Sequence, residues 1–329
     1  MRVLVTGGAG YIGSVVAAEL LQAGHEVVVL DNLSHGHRQA VPQGAELVVG
    51  DLADRGALDQ LFRSRAVDAV IHLAALIEAG ESMKAPELFF RNNTANALTL
   101  LEAMLGAGVK RLVFSSTAAL FGNPERTPIV EDDPVHPTNA YGESKLLVER
   151  MLGWFHRIHG LGYASLRYFN AAGASRPDQG EAHQPESHLI PRILAVALGR
   201  AEHANIFGTD YPTPDGTCVR DYIHVSDLAR AHLLALEGLA REPSRPLIYN
   251  LGNGQGFSVR EVVEVARKVT GHPVPVFESP RRAGDPAVLI ASSEKIRREL
   301  QWQPRFPDLE TIVESAWQWH RTHPDGYSG

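Results

Sequence analysis

The sequence predicts an α/β fold, with a doubly wound parallel sheet and a second, smaller α/β domain. Three observations support this prediction. Short apolar runs alternate with longer amphipathic segments in the first half of the chain, a glycine-rich turn follows the first of these runs, and Gly, Pro and His become frequent after Asn170. A length of 329 residues is also more than one typical domain needs.

The predicted strands of the first half are rich in Val, Leu and Ile, as is typical of strands covered on both faces. They are Val3–Thr6, Glu26–Leu30, Leu47–Val49, Ala69–His72 and Arg111–Ser115, with a further strand at Ala164–Phe169. Helices are predicted between them, at Tyr11–Ala23, Ala57–Arg65, Pro86–Leu105 and Asn139–His159. This alternation builds βαβ units, and right-handed crossovers then give a doubly wound sheet.

The second part of the chain is predicted to be rich in loops, with shorter helices at Ile190–Leu198 and Val259–Val269. Two segments, Asp221–Leu239 and Ile248–Leu251, are expected to return to the main sheet. The predicted domains are therefore 1–170, with returning segments near 221–251, and 171–329.

Composition excludes several classes of protein. The net charge of −7 argues against a nucleic-acid partner, and no apolar stretch approaches the ~20 residues of a membrane helix. The single cysteine, Cys218, permits no internal disulfide, and the apolar start is too short for a secretory signal. We therefore expect a cytoplasmic protein. Because the net charge is negative, an anionic ligand would need local positive charge at its site.

A glycine-rich turn joins the first predicted strand to the first predicted helix, in the run VTGGAGYIG at 5–13. Gly7 and Gly10 allow a tight turn and a close backbone approach, and Gly13 lets the helix pack on the strand. The helix N-terminus then offers free N–H groups to a pyrophosphate. Any tight strand–helix turn favours glycine, but the position of this turn predicts a Rossmann-type dinucleotide site.

Asp31 ends the second predicted strand, 18 residues after Gly13. A carboxylate there accepts hydrogen bonds from the ribose hydroxyls of NAD and repels the 2′-phosphate of NADP, so NAD is the predicted cofactor. The alternative is a solvated residue at a strand end, and Arg38 or His37 could soften the repulsion. Asp51, after the third strand, is placed either to contact adenine or to cap a turn.

The predicted catalytic pair is Tyr141 and Lys145, whose spacing places both on one face of a helix. A free tyrosine has a pKa of about 10, and a lysine ammonium and a positive nicotinamide both favour the phenolate. Thr117, at the end of a predicted strand, is placed to hydrogen-bond a substrate hydroxyl; its alternative role is a simple strand-end cap.

The glycine loop, Ser115-Ser116-Thr117 and the Tyr141/Lys145 pair resemble the extended short-chain dehydrogenase/reductase superfamily. Further motifs narrow the resemblance to the UDP-glucose 4-epimerase family: RYFN at 167–170, NIFG at 205–208, DYPT at 210–213, DGT at 215–217, VRDYIHV at 219–225 and RRxGD at 281–285. These motifs follow the order of that family over nearly the whole chain.

The resemblance implies two sets of binding residues. The set for NAD comprises Gly7, Gly10, Tyr11, Ile12, Gly13, Asp31, Asn32, Ser34, Gly36, Asp51, Leu52, Leu73, Ala74, Ala75, Asn92, Ser115, Tyr141, Lys145 and Phe169. The set for the nucleotide sugar comprises Thr117, Tyr141, Asn170, His188, Leu189, Asn205, Phe207, Arg220, Arg282, Asp285 and Leu289. Arginines suit the diphosphate, because a guanidinium forms forked hydrogen bonds to phosphate.

Three positions depart from the family pattern. Ile77 stands where some members carry a lysine beside the cofactor, and His188 stands where some carry an asparagine that contacts the substrate. Leu289 replaces a bulky tyrosine that excludes N-acetylated sugars in some members. The smaller leucine leads to the hypothesis of wider substrate tolerance.

The resemblance implies an isomerase of galactose metabolism that interconverts UDP-galactose and UDP-glucose through a transient 4-keto sugar and bound NADH. UDP-N-acetylhexosamines, UDP-pentoses and a non-catalytic NAD sensor remain as alternatives. Dehydratases of the superfamily carry an acid pair after the threonine, whereas Ala118 and Ala119 follow Thr117 here.

The resemblance also implies a homodimer built on the helices Pro86–Leu105 and Asn139–His159. No metal site is predicted, because the pairs His156/His159 and His183/His188 are judged to lack companion carboxylates or cysteines at ligand spacing.

Overall fold

The computed structural model describes residues 1–243, 245–282 and 285–327. The strands of the described chain are β1 (Arg2–Thr6), β2 (Glu26–Asp31), β3 (Glu46–Val49), β4 (Ala69–His72), β5 (Arg111–Thr117), β6 (Gly162–Tyr168), β7 (Asn170–Ala172), β8 (Ala204–Phe207), β9 (Val219–His224), β10 (Leu247–Leu251), β11 (Gly256–Ser258), β12 (Val276–Ser279) and β13 (Val288–Leu289).

The α-helices of the described chain lie mainly between these strands. They are α1 (Tyr11–Gln22), α2 (Arg55–Ser64), α3 (Ala79–Ser82), α4 (Pro86–Phe89), α5 (Asn96–Gly106), α6 (Ala140–His159), α7 (Leu189–Ala197), α8 (Val225–Arg241), α9 (Val259–Thr270), α10 (Glu294–Leu300) and α11 (Leu309–Thr322). Short 3₁₀ turns lie at Arg38–Ala40 and Ala118–Phe121. The alternation confirms the predicted α/β class.

The main sheet has seven strands in the order β10-β6-β5-β4-β1-β2-β3. β1 pairs in parallel with both β2 and β4, so the strand before the glycine loop lies inside the sheet and is almost entirely buried. β3 is an edge strand, and the side chain of Val49 is 53% exposed. The prediction that this run is buried on both faces was therefore wrong, because an edge strand lacks one neighbour.

A second sheet contains β9, which pairs antiparallel with β11 and in parallel with β7 and β13. The expectation that Asp221–Leu239 returns to the main sheet was thus wrong for its strand, Val219–His224. The Asp221 carboxylate accepts hydrogen bonds from the backbone N–H groups of Asn253 and Ala291, and this bonding ties the strand to its own sheet. Leu247–Leu251 does join the main sheet, as expected.

The predicted continuous helix at Pro86–Leu105 is interrupted by a π-helical segment, Phe90–Ala95. Asn93 in this segment is buried, accepts a hydrogen bond from Leu76 N and donates to Leu76 O and Ser144 Oγ. π-helical turns inside α-helices are frequent at functional sites. The apolar periodicity of the sequence does not indicate them.

The described chain divides into two compact units. Unit 1 comprises 1–122, 135–167 and 229–249, and its core packs the apolar faces of the main sheet against α2, α5 and α6. Unit 2 comprises 123–134, 168–228 and 250–329, and its core packs α7, α9 and α11 together. Within the described residues, no helix is both long and apolar enough to cross a bilayer.

Candidate active site

The glycine loop of unit 1 is a closely packed backbone turn. Gly7 has a φ of +73°, and a Cβ there would lie 2.6 Å from the backbone nitrogen of Ala74. A Cβ on Gly13 would lie 2.1 Å from the carbonyl oxygen of Gly7, and Gly10 precedes α1 without a side-chain cap. Glycine is therefore required at both Gly7 and Gly13, and the first N–H groups of α1, from Tyr11 and Ile12 on, face this turn.

Asp31 lies at the end of β2 against the same loop. Its carboxylate accepts hydrogen bonds from Ala9 N at 3.0 Å and from Leu33 N at 2.8 Å. A Cβ on Gly36 would lie 2.8 Å from this carboxylate, so the chain after β2 also passes close to it. Asp31 is thus positioned beside the loop and is not a solvated strand end.

Asn32, Ser34 and Asp51 surround the ends of β2 and β3. Asn32 donates to the Asp51 carboxylate at 2.8 Å and accepts from Ser34 N. Asp51 also accepts from Ala53 N at 2.8 Å, which makes an Asx turn, while Asp54 supplies the N-cap of α2. The turn role that competed with an adenine contact is therefore present at Asp51.

The chain after β4 completes this edge of the sheet. Leu73 N and Ala74 N both donate to Thr6 O, which holds the segment with Ala75 next to the glycine loop. Asn92 lies in the π-helical segment and donates to Asn93 Oδ1. Leu52 is buried, and Phe169 belongs to unit 2, where its N–H donates to Leu251 O.

These residues fit a dinucleotide. Gly7 and Gly13 let the turn and α1 pack closely against neighbouring backbone, and the N–H groups at the start of α1 suit the charge of a pyrophosphate. Asp31 lies at the end of the next strand, where it is placed to accept ribose hydroxyls. In NAD-linked enzymes the bound group supplies a hydride acceptor and donor.

Tyr141 is positioned by the first turn of α6. Asn139 caps this helix by accepting a hydrogen bond from Gly142 N at 2.8 Å. A Cβ on Gly142 would lie 2.7 Å from Ala119 O, so glycine lets the helix start approach the turn that follows Thr117. Thr117 accepts from Ala119 N at 3.1 Å and also hydrogen-bonds Tyr141. It is a strand-end cap and a partner of the phenol at once.

In the absence of ligands, the surroundings of Tyr141 disfavour ionisation of its phenol. Burial raises the pKa of the phenol above its ordinary value, the hydrogen bond from Thr117 lowers it in part, and the charge of Glu78 raises it further. Glu78, just before α3, did not stand out in the sequence. A positive charge beside Tyr141 is therefore needed before the phenolate is favoured.

Lys145 lies one helical turn beyond Tyr141 and is fully buried. Its ammonium donates to Ser115 O at 2.9 Å and lies 5.1 Å from the centre of the Phe114 ring. Burial lowers the pKa of Lys145 to about 7. The neighbouring His72 is buried as well, and burial together with the lysine charge lowers its pKa to about 3, so this imidazole is neutral.

Sequence reasoning missed the polar network behind this site. Glu149, one turn beyond Lys145, pairs with Arg167 at 2.7 Å and accepts from Ser116 Oγ at 2.6 Å, and all three are buried. The i,i+4 spacing of Lys145 and Glu149 was the available signal. This network fixes the strand that carries Ser115 and Thr117 to the helix that carries Tyr141.

Unit 2 brings together several residues of the predicted nucleotide-sugar set. Asn205 and Phe207 alternate along β8 and so share a face, and the guanidinium of Arg282 lies 3.9 Å from the centre of the Phe207 ring. Asp285 N donates to Arg282 O. Gly284 of the same motif lies outside the described residues.

Arg281, adjacent to Arg282, has a different role. It donates to the Asp210 carboxylate at 2.7 Å and stacks on Tyr211 at 4.1 Å, and a Cβ on Gly208 would lie 2.6 Å from its Cγ. It is therefore the structural arginine of the pair, whereas Arg282 places its guanidinium beside the half-buried Phe207 ring.

The remaining predicted residues lie along β7, β9 and the start of α7. Arg220 and Leu289 are register partners on β9 and β13, and both are half-buried. Asn170 begins β7 and is exposed. Leu189 is the first residue of α7, and His188 is its N-cap.

The prediction that the pair His183/His188 lacks companion carboxylates was wrong. Glu181 lies 3.0 Å from His183 Nδ1 and 2.6 Å from His188 Nδ1, and Glu186 lies 3.2 Å from His188 Nδ1. Burial opposes the charge of Glu181, but the two imidazoles outweigh it and lower the pKa of that carboxyl. Burial likewise opposes the charge of His188, but the carboxylates raise its pKa well above the ordinary value. The signal in the sequence was a repeated Glu-x-His, at 181–183 and 186–188.

Comparison with known proteins identifies the family. The model of the NAD-dependent epimerase/dehydratase family matches residues 3–252. The UDP-glucose 4-epimerase of Halalkalibacterium halodurans is 55% identical over 329 residues, which is 100% of this chain and 98% of the relative.

Solved structures agree. A UDP-glucose 4-epimerase crystal structure, 48% identical, superposes with a TM-score of 0.97 over 100% of both chains. The Bifidobacterium longum UDP-glucose 4-epimerase, solved with NAD⁺ and UDP, is 36% identical with a TM-score of 0.95, covering 99% of this chain and 100% of that one. The chain therefore belongs to the NAD-dependent epimerase/dehydratase family and, within it, to the UDP-glucose 4-epimerases.

Proposed function

We propose that this protein is an NAD-dependent isomerase that interconverts UDP-galactose and UDP-glucose by inverting C4 of the sugar. The observation that carries the proposal is the placement of Tyr141 against Thr117, by the Asn139 cap and the close approach of Gly142, in the unit that holds the glycine cradle.

Tyr141 is the proton-transfer group of the proposed reaction. It accepts the proton of the sugar 4-hydroxyl as C4 is oxidised. The 4-keto sugar then rotates in the site and presents its opposite face, and Tyr141 returns the proton when C4 is reduced again. Because burial holds its pKa high, the phenolate forms only when positive charge is brought to it. This requirement confines proton abstraction to the loaded enzyme.

Thr117 and Lys145 support this step in different ways. The Thr117 hydroxyl hydrogen-bonds the phenol and aligns the sugar hydroxyl with it. Lys145, anchored on Ser115 O, gives a buried donor one turn along the same helix, where it holds the cofactor ribose and stabilises negative charge on the phenol. Both are therefore proposed as catalytic residues.

The nucleotide half of the substrate is assigned to unit 2. Arg282, stacked over Phe207, and Arg220 supply the local positive charge that a chain of net charge −7 lacks globally. Asp285 accepts ribose hydroxyls, and Asn205 presents an amide to the base. These contacts grip the UDP and leave the hexose free to turn, which epimerisation requires.

Elimination of water is disfavoured. Thr117 is followed by Ala118 and Ala119, and their short apolar side chains offer no acid or base. With Tyr141 as the proton-transfer group, the 4-keto sugar is reduced again in place of losing water.

A second substrate class is favoured by one observation. Leu289, the register partner of Arg220, is smaller than the tyrosine that some family members carry there, which leaves room for an N-acetyl group. UDP-N-acetylglucosamine is therefore a proposed additional substrate, and complete failure to turn it over would contradict this extension.

We also propose a cytoplasmic homodimer. The one cysteine, Cys218, is buried and free, as suits a reducing compartment. Trp154 and Ile158 on α6 and Leu98 on α5 expose 58%, 66% and 38% of their surface. Trp154 and Ile158 are four residues apart and so share a face of α6, and exposed apolar side chains of this kind suit a helical interface. Ile158→Asp should then yield a monomer by analytical ultracentrifugation.

The test is to incubate the purified protein with UDP-galactose without added NAD and to separate the products. Conversion to UDP-glucose, with NAD released on denaturation, is the expected result. No conversion of any UDP-sugar even with added NAD would overturn the proposal, and retention of NAD in that case would favour the sensor function.

A further inference from the structure

Two histidines and two glutamates of unit 2 converge before α7. Each of Glu181, His183, Glu186 and His188 offers one ligand atom, and these four atoms lie within 4.8 Å of one another. A four-coordinate ion bound at about 2.0–2.2 Å from each ligand requires ligand atoms roughly 3.3 Å apart. The separations of 3.0 and 3.2 Å lie near this value, whereas the 2.6 Å between His188 Nδ1 and Glu181 is shorter and must open by about 0.7 Å when an ion binds.

The geometry at His188 suits a shared ion better than a hydrogen bond. Its Nδ1 atom is buried and makes no hydrogen bond of acceptable angle, although carboxylate oxygens lie 2.6 and 3.2 Å away. Two groups that are close but misdirected for a proton are arranged as co-ligands of a common centre. His183 approaches the same Glu181 oxygen at 3.0 Å from another direction.

Hydrogen bonds that involve backbone groups hold both glutamates in place. Glu186 accepts hydrogen bonds from the backbone N–H groups of Ser187 and His188, both at 2.7 Å. The backbone carbonyl of Glu181 accepts from the Trp319 indole at 2.8 Å, and its side chain is only 4% exposed. The contact from Trp319 is an outer contact of the kind that orients metal ligands in proteins.

We propose that Glu181, His183, Glu186 and His188 form a binding site for one divalent transition metal ion of the zinc class. Two imidazole nitrogens and two carboxylate oxygens match the ligands that Zn²⁺ takes in four-coordinate sites. Binding displaces any proton from the imidazoles, and the two carboxylates then balance the charge of the ion. The bound ion ties the loop before α7 to the N-cap residue of that helix, His188. His188 is shared with the predicted nucleotide-sugar set, so metal binding is measured without substrate or NAD, and its outcome does not depend on the reaction proposed above.

The test uses untagged full-length protein, stripped with a chelator and titrated with Co²⁺ as the probe. We expect one equivalent to bind with the strong visible absorption of a four-coordinate ion, and Zn²⁺ to displace it. His183→Gln should weaken Co²⁺ binding at least about tenfold. His159→Gln is the matched control, because it changes one member of the other closely spaced histidine pair, on α6, and it should bind like the wild type.

The melting temperature, measured with and without Zn²⁺, separates a folding defect of His183→Gln from a binding defect. Wild-type protein should gain a rise in Tm that saturates at one equivalent of Zn²⁺, and His183→Gln should not. Absence of Co²⁺ absorption together with no rise in wild-type Tm would overturn the proposal. Unchanged Co²⁺ affinity in His183→Gln would overturn it as well, and this comparison remains decisive if Glu181→Gln fails to fold.

Discussion

The glycine loop of unit 1 and the longer loop before α7 in unit 2 each contain a tightly packed glycine. In the first, a Cβ on Gly13 would meet the backbone of Gly7 at 2.1 Å. In the second, a Cβ on Gly180 would meet the ring of Trp319 at 2.3 Å. The sequence motif around Gly13 indicates its role. The sequence around Gly180 gives no indication of its contact with Trp319, which lies 139 residues away.

The difference lies in where the constraint originates. Gly13 is constrained by a residue six positions earlier, so a local pattern contains both partners. Gly180 and the adjacent Glu181 are constrained by α11, so the pattern becomes visible only when the helix is packed. The ligand types of the second loop are visible in the sequence as the repeated Glu-x-His, but the contact with α11 that fixes Gly180 and Glu181 is not.

The largest expected effect concerns the site that the local pattern predicted. Tyr141→Phe removes the proton-transfer group and should lower kcat about 100- to 10,000-fold, the usual contribution of a positioned acid or base. The fold should persist, because the phenol loses one hydrogen bond, to Thr117. Turnover of UDP-galactose and the thermal melt together measure this.

Tyr163→Phe is the matched control for that variant. Tyr163 is a buried tyrosine of the same unit, on β6, and has no proposed part in the chemistry. Its variant should keep wild-type kcat. Equal losses in the two variants would show that kcat responds to packing and not to the Tyr141 hydroxyl.

Gly13→Ala tests the locally constrained loop. Its methyl group would strike a backbone oxygen that cannot rotate away, so the free energy of unfolding should fall by about 3 kcal/mol and bound NAD should be lost. Chemical unfolding and the NAD content of the purified protein report on the two effects.

Gly80→Ala serves as the control, because a Cβ there meets nothing within 4 Å. Its stability should change by less than about 1 kcal/mol, in the stabilising direction. A destabilised Gly80→Ala would indicate that α3 does not tolerate the change for another reason, and a stable Gly13→Ala would contradict the close approach.

Gly180→Ala makes the corresponding change in the second loop. The methyl group would strike the Trp319 side chain, which is fully buried but can shift more than backbone, so a loss of about 2 kcal/mol is expected. Metal binding should weaken with it, because Trp319 also holds Glu181. If Gly180→Ala keeps both its stability and its Co²⁺ affinity, the close packing of Gly180 on Trp319 does not constrain this loop as Gly7 constrains Gly13.

Most of unit 1 followed from local rules. The strand ends, the start of α1 at Tyr11 and the start of α6 after Asn139 were predicted within two residues, since apolar runs, glycines and an N-cap mark them directly. The roles of Asp31, Tyr141 and the nucleotide-sugar residues remain predictions about bound states, supported by position.

What escaped prediction depended on tertiary partners. The π-helical turn at Phe90–Ala95 depends on Asn93 reaching Ser144, and the place of Val219–His224 depends on Asp221 binding backbone near Asn253. Periodicity records which face of an element is apolar. It does not record which neighbour supplies a buried hydrogen bond.

The last and smallest predicted effect depends on a difference between the two units in how buried charged groups are paired. The carboxylates before α7 lie against imidazoles, whereas Lys145 is buried with its hydrogen bond on a neutral carbonyl, Ser115 O. Burial lowers the pKa of Lys145 from 10.5 to about 7. Between these values the unfolded chain carries a proton on this lysine that the folded chain has released, so stability must rise with pH.

Raising the pH from 7 to 8 should therefore increase the free energy of unfolding of the wild type by about 1 kcal/mol relative to Lys145→Met. Urea unfolding of both proteins at the two pH values measures this, and other titrating groups cancel in the difference. The neighbouring His72, with its pKa at about 3, does not titrate in this range. If the difference in free energy of unfolding between the two proteins stays constant with pH, the folded chain keeps Lys145 charged. Unit 1 would then stabilise a buried charge without a charged partner, unlike the paired groups of unit 2.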